Sequence, residues 1–438
     1  MTQEREKELS LDEKTAENQQ GFWSRIFPFS GLGAKNLKAF SLAAFLNDTG
    51  EEMYAPYLPL FAKTFLGVNP EQYGLIESLA ESVNRILRFA AGALTDKVGR
   101  KKPVIWGYAL IVLSRLLLPL VYLWQVLIPI RMLRQVGRTL RNPSREASIA
   151  ESVPPQQRGK AYGLLEAVDT IGAVLGPIIG VALLSLFTFG AFRASSNFSE
   201  NSYRWLFACA AVPTLLSMIA ISWYMQETWR PQADTAAGKK GNGIWHNLKF
   251  YARSKPLMLV SASNMILAVG ALPVSMMLFY AYSLPKGNAF TGTLVFVAYT
   301  VSHSLTAYPA GFVTDYLGRK RALLLGDLLL IFALAMLIFI PNAYWMILPA
   351  MFYGVFESLW IASRRAVIAD FAPKEAMGQT LGTFSTLYGL TSLLSPIFVG
   401  AIWHRINPQT AFLACMFLCL AAAGLLQAGF WMMGRSAK

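Results

Sequence analysis

Three cysteines and three histidines are all that this 438-residue chain carries of the thiolate and imidazole ligands typical of zinc sites. Cys209, Cys415 and Cys419 fall in apolar stretches, and the histidines do not cluster, so a disulfide framework and a resident metal centre are not expected. Charge is also scarce. Asp, Glu, Lys and Arg make up 15% of the residues, where a soluble domain carries about 25%. A nucleophile–base set and a glycine-rich ATP-binding loop are missing too, so neither enzymatic chemistry nor a cofactor is expected. The opening stretch MTQEREKELSLDEKTAENQQ has no apolar core and is not a signal peptide.

Apolar residues are abundant, at 54% of the chain with a mean hydropathy of +0.41. Runs of roughly 20 such residues, each long enough to cross about 30 Å of hydrocarbon, recur along the sequence. They predict spans at 38–65, 72–94, 103–124, 126–150, 160–187, 204–226, 256–283, 290–313, 322–341, 344–369, 377–403 and 409–432. The expected architecture is an all-α polytopic membrane protein with 12 transmembrane helices in two six-helix bundles. Its parts are a cytoplasmic tail (1–35), a first bundle (36–226), a polar linker (227–255), a second bundle (256–432) and a short tail (433–438). Basic residues collect in alternate loops, at Lys97, Arg100, Lys101 and Lys102, and again at Arg319, Lys320 and Arg321. By the positive-inside rule both termini are cytoplasmic, and the cell inner membrane is the expected location. The net charge of +14 lies largely in these loops, so nucleic acid is not an expected partner.

The predicted fourth span reads RMLRQVGRTLRNPSR, placing Arg131, Arg134, Arg138, Arg141 and Arg145 along one helical face. Charges of this kind cannot face lipid, where each costs from about 3 to over 10 kcal/mol. They must line an aqueous path or pair with other spans. Acidic partners exist: Asp48, Glu51 and Glu52 in span 1, Glu77 and Glu81 in span 2, and Glu166 and Asp169 in span 5. Span 2 adds Arg85 and Arg88, and span 10 carries Glu357 and Arg364.

An internal repeat sits at an offset of 219, where GALTDKVGRKK at 92–102 returns as GFVTDYLGRKR at 311–321. The offset also pairs Pro154 with Pro373, Gly163 with Gly382 and Arg145 with Arg364. Parallel repeats place a solute site between two similar bundles, near the bilayer midplane.

The repeated GxxTDxxGRK pattern resembles motif A of the major facilitator superfamily of secondary transporters, over about residues 36–432. That resemblance implies gating roles for Gly92, Asp96 and Arg100, and for Gly311, Asp315 and Arg319 in the second copy. The span 5 stretch GAVLGPIIG, with Gly172, Gly176 and Pro177, resembles the family's antiporter-associated motif C. Arg145 is also expected to serve gating. The expected function is proton-coupled export of an anionic or zwitterionic organic solute, such as a carboxylate, metal–citrate-type chelate, siderophore or phosphorylated metabolite. Arg85, Arg88, Arg138, Arg141, Arg364 and Glu357 are the expected solute contacts, since a guanidinium fork matches carboxylate or phosphate. Asp48, Glu51, Glu52, Glu77, Glu81, Glu166 and Asp169 are the candidate proton carriers. Partners beyond solute, protons and membrane lipid are not expected, and the chain is expected to act as a monomer. The alternatives are a multidrug exporter for amphipathic cations and a non-transporting receptor on the same fold.

Overall fold

The structure is a computed structural model that describes residues 31–187, 198–228, 255–371 and 377–436. The first thirty residues and the linker from 229 to 254 lie outside the described residues. Those that are described form twelve helical passes and no strand. In the first bundle these are Gly31–Glu52 with Leu58–Phe65 (span 1), Pro70–Val98 (span 2), Lys101–Leu117 (span 3), Trp124–Ser152 (span 4), Arg158–Phe187 (span 5) and Glu200–Tyr224 (span 6). The second bundle comprises Lys255–Gly270 with Val274–Ala281 (span 7), Ala289–Leu317 (span 8), Arg319–Ile338 (span 9), Ile347–Phe371 (span 10), Met377–Ser392 with Leu394–Arg405 (span 11) and Pro408–Ser436 (span 12).

Spans 1, 7 and 11 are each broken, and prolines stand at or just beyond each break: Pro56 and Pro59, Pro273, and Pro396. Proline removes one helical hydrogen bond and crowds the preceding turn. Eight spans are apolar enough by length and composition to cross a membrane. Those that fall short are spans 1, 2, 4 and 8, and the first three carry most of the charge of the central cavity.

The repeat is visible in bonds as well as letters. Thr95 and Ser144 join hydroxyls at 2.8 Å between spans 2 and 4, and Thr314 and Ser363 do the same at 2.8 Å between spans 8 and 10. Asn69 caps span 2 in a reciprocal pair with Gln72, and Asn288 caps span 8 with Thr291. Positive φ recurs at Gly99 (95°) and Gly318 (80°), and at Gly67 (63°) and Lys286 (62°). Every one of these pairs is separated by the same offset.

The motif C glycines set the approach of spans 1 and 5. A Cβ on Gly172 would stand 2.8 Å from the Phe45 carbonyl, and one on Gly176 would stand 2.8 Å from the Thr49 carbonyl. Backbone this close admits no side chain.

Between the bundles, contact concentrates at the end remote from the termini. The Tyr57 hydroxyl donates to the Pro177 carbonyl at 2.6 Å and lies 2.6 Å from Thr293 Oγ1 across the interface. Tyr282 donates to the Pro56 carbonyl at 2.7 Å, and Lys63 donates to the Tyr282 carbonyl at 2.8 Å. At the termini end, among the described residues, no hydrogen bond or ion pair is seen to cross from one bundle to the other. Asp315 is exposed, and a Cβ added to Gly159, Gly163 or Gly311 would meet nothing within 4 Å.

Candidate functional site

A cavity of about 480 Å³ lies between the bundles. Spans 1, 2 and 4 supply its charged wall, and spans 7, 8 and 10 supply a largely apolar and aromatic one. Five carboxylates line it (Glu51, Glu52, Glu77, Glu81 and Glu357) against three guanidiniums (Arg131, Arg134 and Arg138).

Most of these groups are already bonded, four of them in ion pairs. Arg131 forms an ion pair with Glu77, with a second hydrogen bond at 3.1 Å. Arg134 pairs with Glu51, and the same carboxylate takes Arg115 of span 3 at 2.6 Å. Arg115 is fully buried, and it also donates to the Asn47 carbonyl at 3.3 Å. Glu81 accepts from Gln135. On the opposite wall Glu357 accepts from the Tyr299 hydroxyl at 2.5 Å. Among the described residues, Glu81 and Glu357 thus accept from neutral groups only, and two further cavity charges, Arg138 and Glu52, have no hydrogen bond or ion pair.

The arginine stripe therefore divides. Steps of 3 and 4 average 3.5 residues against 3.6 per turn, so the row drifts by about 40° over its length. Arg131, Arg134 and Arg138 line the cavity. Arg141 instead lies over the Tyr108 ring at 5.1 Å and donates to Asn142. Arg145 reaches Asp169 of span 5 at 3.5 Å.

The other expected residues are scattered around this centre. Asp48 accepts from the Asn47 amide at 2.8 Å, and Glu166 is exposed. Arg85 crosses to span 11, its Cδ standing 2.7 Å from where a Gly389 Cβ would be. Arg364 is stacked on Trp360 at 3.9 Å and on Tyr388 at 4.2 Å. The side chains of Arg88 and Asp96 and the surroundings of Gly92 lie outside what is described. Arg100 pairs with Glu151 of its own bundle at 2.7 Å, and Glu227 accepts from the Arg100 and Lys101 amides at 3.0 Å. Asp315 makes no hydrogen bond or ion pair among the described residues, and Arg319 is exposed.

Sequence reasoning missed Gln135, Tyr57 and Thr293, none of which carries a charge or a spacing signal. It also left the partners of Glu51 open, because they come from spans 3 and 4. A group of three or more potential metal ligands does not occur among the described residues.

The family model of the Major Facilitator Superfamily matches residues 40–290 and 286–437. The chain belongs to the Major Facilitator Superfamily. Its resemblance to that family is thereby borne out, as is the all-helical membrane fold. An uncharacterised MFS-type transporter of Methanocaldococcus jannaschii is 26% identical over 396 residues, covering 90% of this chain and 94% of its own. The class H tetracycline resistance protein of Pasteurella multocida is 21% identical over 374 residues, covering 84% and 89%. Among solved structures, the nucleoside transporter NupG superposes with a TM-score of 0.74 at 14% identity, covering 90% of this chain and 99% of that one. At that identity the likeness is one of fold. The chain is a multi-pass membrane transporter of the Major Facilitator Superfamily, a family whose members here are transporters rather than enzymes.

Proposed function

We propose that this transporter is a proton-coupled exporter of a small organic solute bearing an anionic group, collected from the cytoplasm. The observation that carries the reading is Arg138, the cavity guanidinium left without an ion pair among the described residues. A guanidinium without an ion pair in a partly dehydrated cavity is costly, and the anionic group of a solute would offset that cost. Its planar fork is suited to carboxylate or phosphate.

Glu52 is the coupling carboxylate in this reading. It lines the same cavity without a partner, and it stands against Gly176 of the motif C ladder, where a Cβ would lie 2.8 Å from its own. Solute and proton then compete for one electrostatic environment, which is what exchange requires. Support for export comes from motif C and from the similarity to a tetracycline resistance protein. The basic loops at 97–102 and 319–321 support cytoplasmic termini, which makes the termini end of the bundles the cytoplasmic entrance.

The test is counterflow in proteoliposomes with anionic, zwitterionic and cationic solutes, with a pH-sensitive dye in the lumen. Movement of anion-bearing solutes with a matching change in lumenal pH is expected, and it should be lost in Glu52→Gln. Flux indifferent to both pH and sodium gradients would make the protein a uniporter and end the antiport reading.

A further inference from the structure

The two halves of the duplicated chain place opposite charges at one repeat-related position. Arg138 of span 4 and Glu357 of span 10 are separated by the offset of 219, and both line the central cavity. Around them the repeat is kept closely. The hydroxyl bridge between Thr95 and Ser144 in the first bundle has its counterpart between Thr314 and Ser363 in the second. The helices carrying the two charges are thus equivalent in placement, so the side chains approach the cavity from opposite walls.

Their surroundings differ in the same sense as their charge. Arg138 stands among polar groups of the first bundle, whereas Glu357 is set among rings. Tyr299 donates to it at 2.5 Å, and Phe296 and Tyr353 flank Tyr299 with ring centroids at 6.1 and 6.2 Å. Among the described residues no lysine or arginine pairs with Glu357. A carboxylate in a cavity also lined by Phe296 and Tyr299 suits an organic ammonium, which gains an ion pair beside aromatic rings.

We infer that the cavity is polarised, binding zwitterionic solutes with the anionic end on Arg138 and the cationic end on Glu357 beside Tyr299. The inference rests on the proposed use of this cavity as the solute site, and it narrows the solute class from anion-bearing to zwitterionic. Such a solute spans the two bundles, so its charges tie one wall to the other. A molecule with only one of the two charges leaves one pole empty.

Three matched fluorescent probes test it on purified full-length protein in nanodiscs. Nα-dansyl-lysine carries a carboxylate and an ammonium on one chain, dansylcadaverine lacks the carboxylate, and dansylnorleucine lacks the ammonium. The wild type is expected to bind the zwitterion at least about tenfold more tightly than either relative, one charged contact being the difference. Arg138→Gln should erase the preference over dansylcadaverine and keep the preference over dansylnorleucine. Glu357→Gln should do the reverse. Glu357→Asp, which keeps the carboxylate, and melting temperatures taken on every sample separate loss of a pole from loss of fold. A wild type with no preference for the zwitterion, including one that binds none of the three probes, overturns the inference. So do two variants that lose the same preference. Binding is read without flux or gradient, so failed proton exchange alongside intact poles would sink the antiport reading and leave this one standing.

Discussion

Arg134 and Arg138 stand one turn apart on span 4, yet among the described residues only one of them is held by a partner. Arg134 is held by Glu51, which Arg115 also holds from behind, and Arg131 is held by Glu77. These pairs neutralise charge inside the membrane, and breaking one leaves its partner buried and charged. Arg131→Leu should therefore destabilise the protein by about 3–5 kcal/mol, seen as a drop in apparent Tm. Arg131→Leu combined with Glu77→Leu should recover most of it. If the double variant melts no higher than the single one, the pair is not what Arg131 contributes. Arg138 should behave in the opposite way. Arg138→Lys keeps the charge and should leave Tm nearly unchanged. Loss of the planar fork should weaken binding of an anion-bearing solute by about 1.5–3 kcal/mol, or roughly 10- to 150-fold. Near-normal affinity in that variant would move the anion contact to Arg85 or Arg364.

Helix against helix, the glycines of motif A and motif C make contrasting predictions. Gly176 sits against the backbone of span 1, and the Thr49 carbonyl cannot move without moving that helix. Gly176→Ala should cost about 1–3 kcal/mol, as overpacking does, and should displace Glu52. Gly311 faces open space here, so Gly311→Ala should cost little in this state and should penalise only a state in which the termini ends close. Equal loss of Tm in both variants would contradict that difference. Much of this level was legible beforehand. Apolar runs predicted twelve spans, and twelve helical passes stand among the described residues. One offset, read from GALTDKVGRKK and GFVTDYLGRKR, predicted a duplication later seen in the paired hydroxyl bridges. The arginine stripe was legible as polar but not as divided. Which arginine stays unpaired depends on where spans 1, 2, 3 and 5 cross span 4, and spacing within one helix carries no record of that.

Across the whole molecule, the state described is closed at one end by a few bonds between bundles and has none, among the described residues, at the other. Tyr57 is central to the closed end, because its hydroxyl meets both the Pro177 carbonyl and Thr293 of the opposite bundle. The carbonyl belongs to motif C, so this bond ties the glycine ladder of span 5 to the start of span 8. Removing one hydrogen bond is worth about 0.5–1.5 kcal/mol, a shift of about 2- to 12-fold between two states. A transporter whose two states differ by little will respond measurably to such a change. Tyr57→Phe should shift the population towards opening at the far end, and Thr293→Val should shift it the same way. Combining the two should add little, since they share one bond. Spin labels at Leu123→Cys and Phe339→Cys, both exposed positions near the far end, report the separation once the three native cysteines are replaced. A longer-distance population should grow in each single variant and stay at that level in the double one. Unchanged distance distributions in both single variants would mean that Tyr282 and Lys63 hold this end closed without help from the Tyr57 bond.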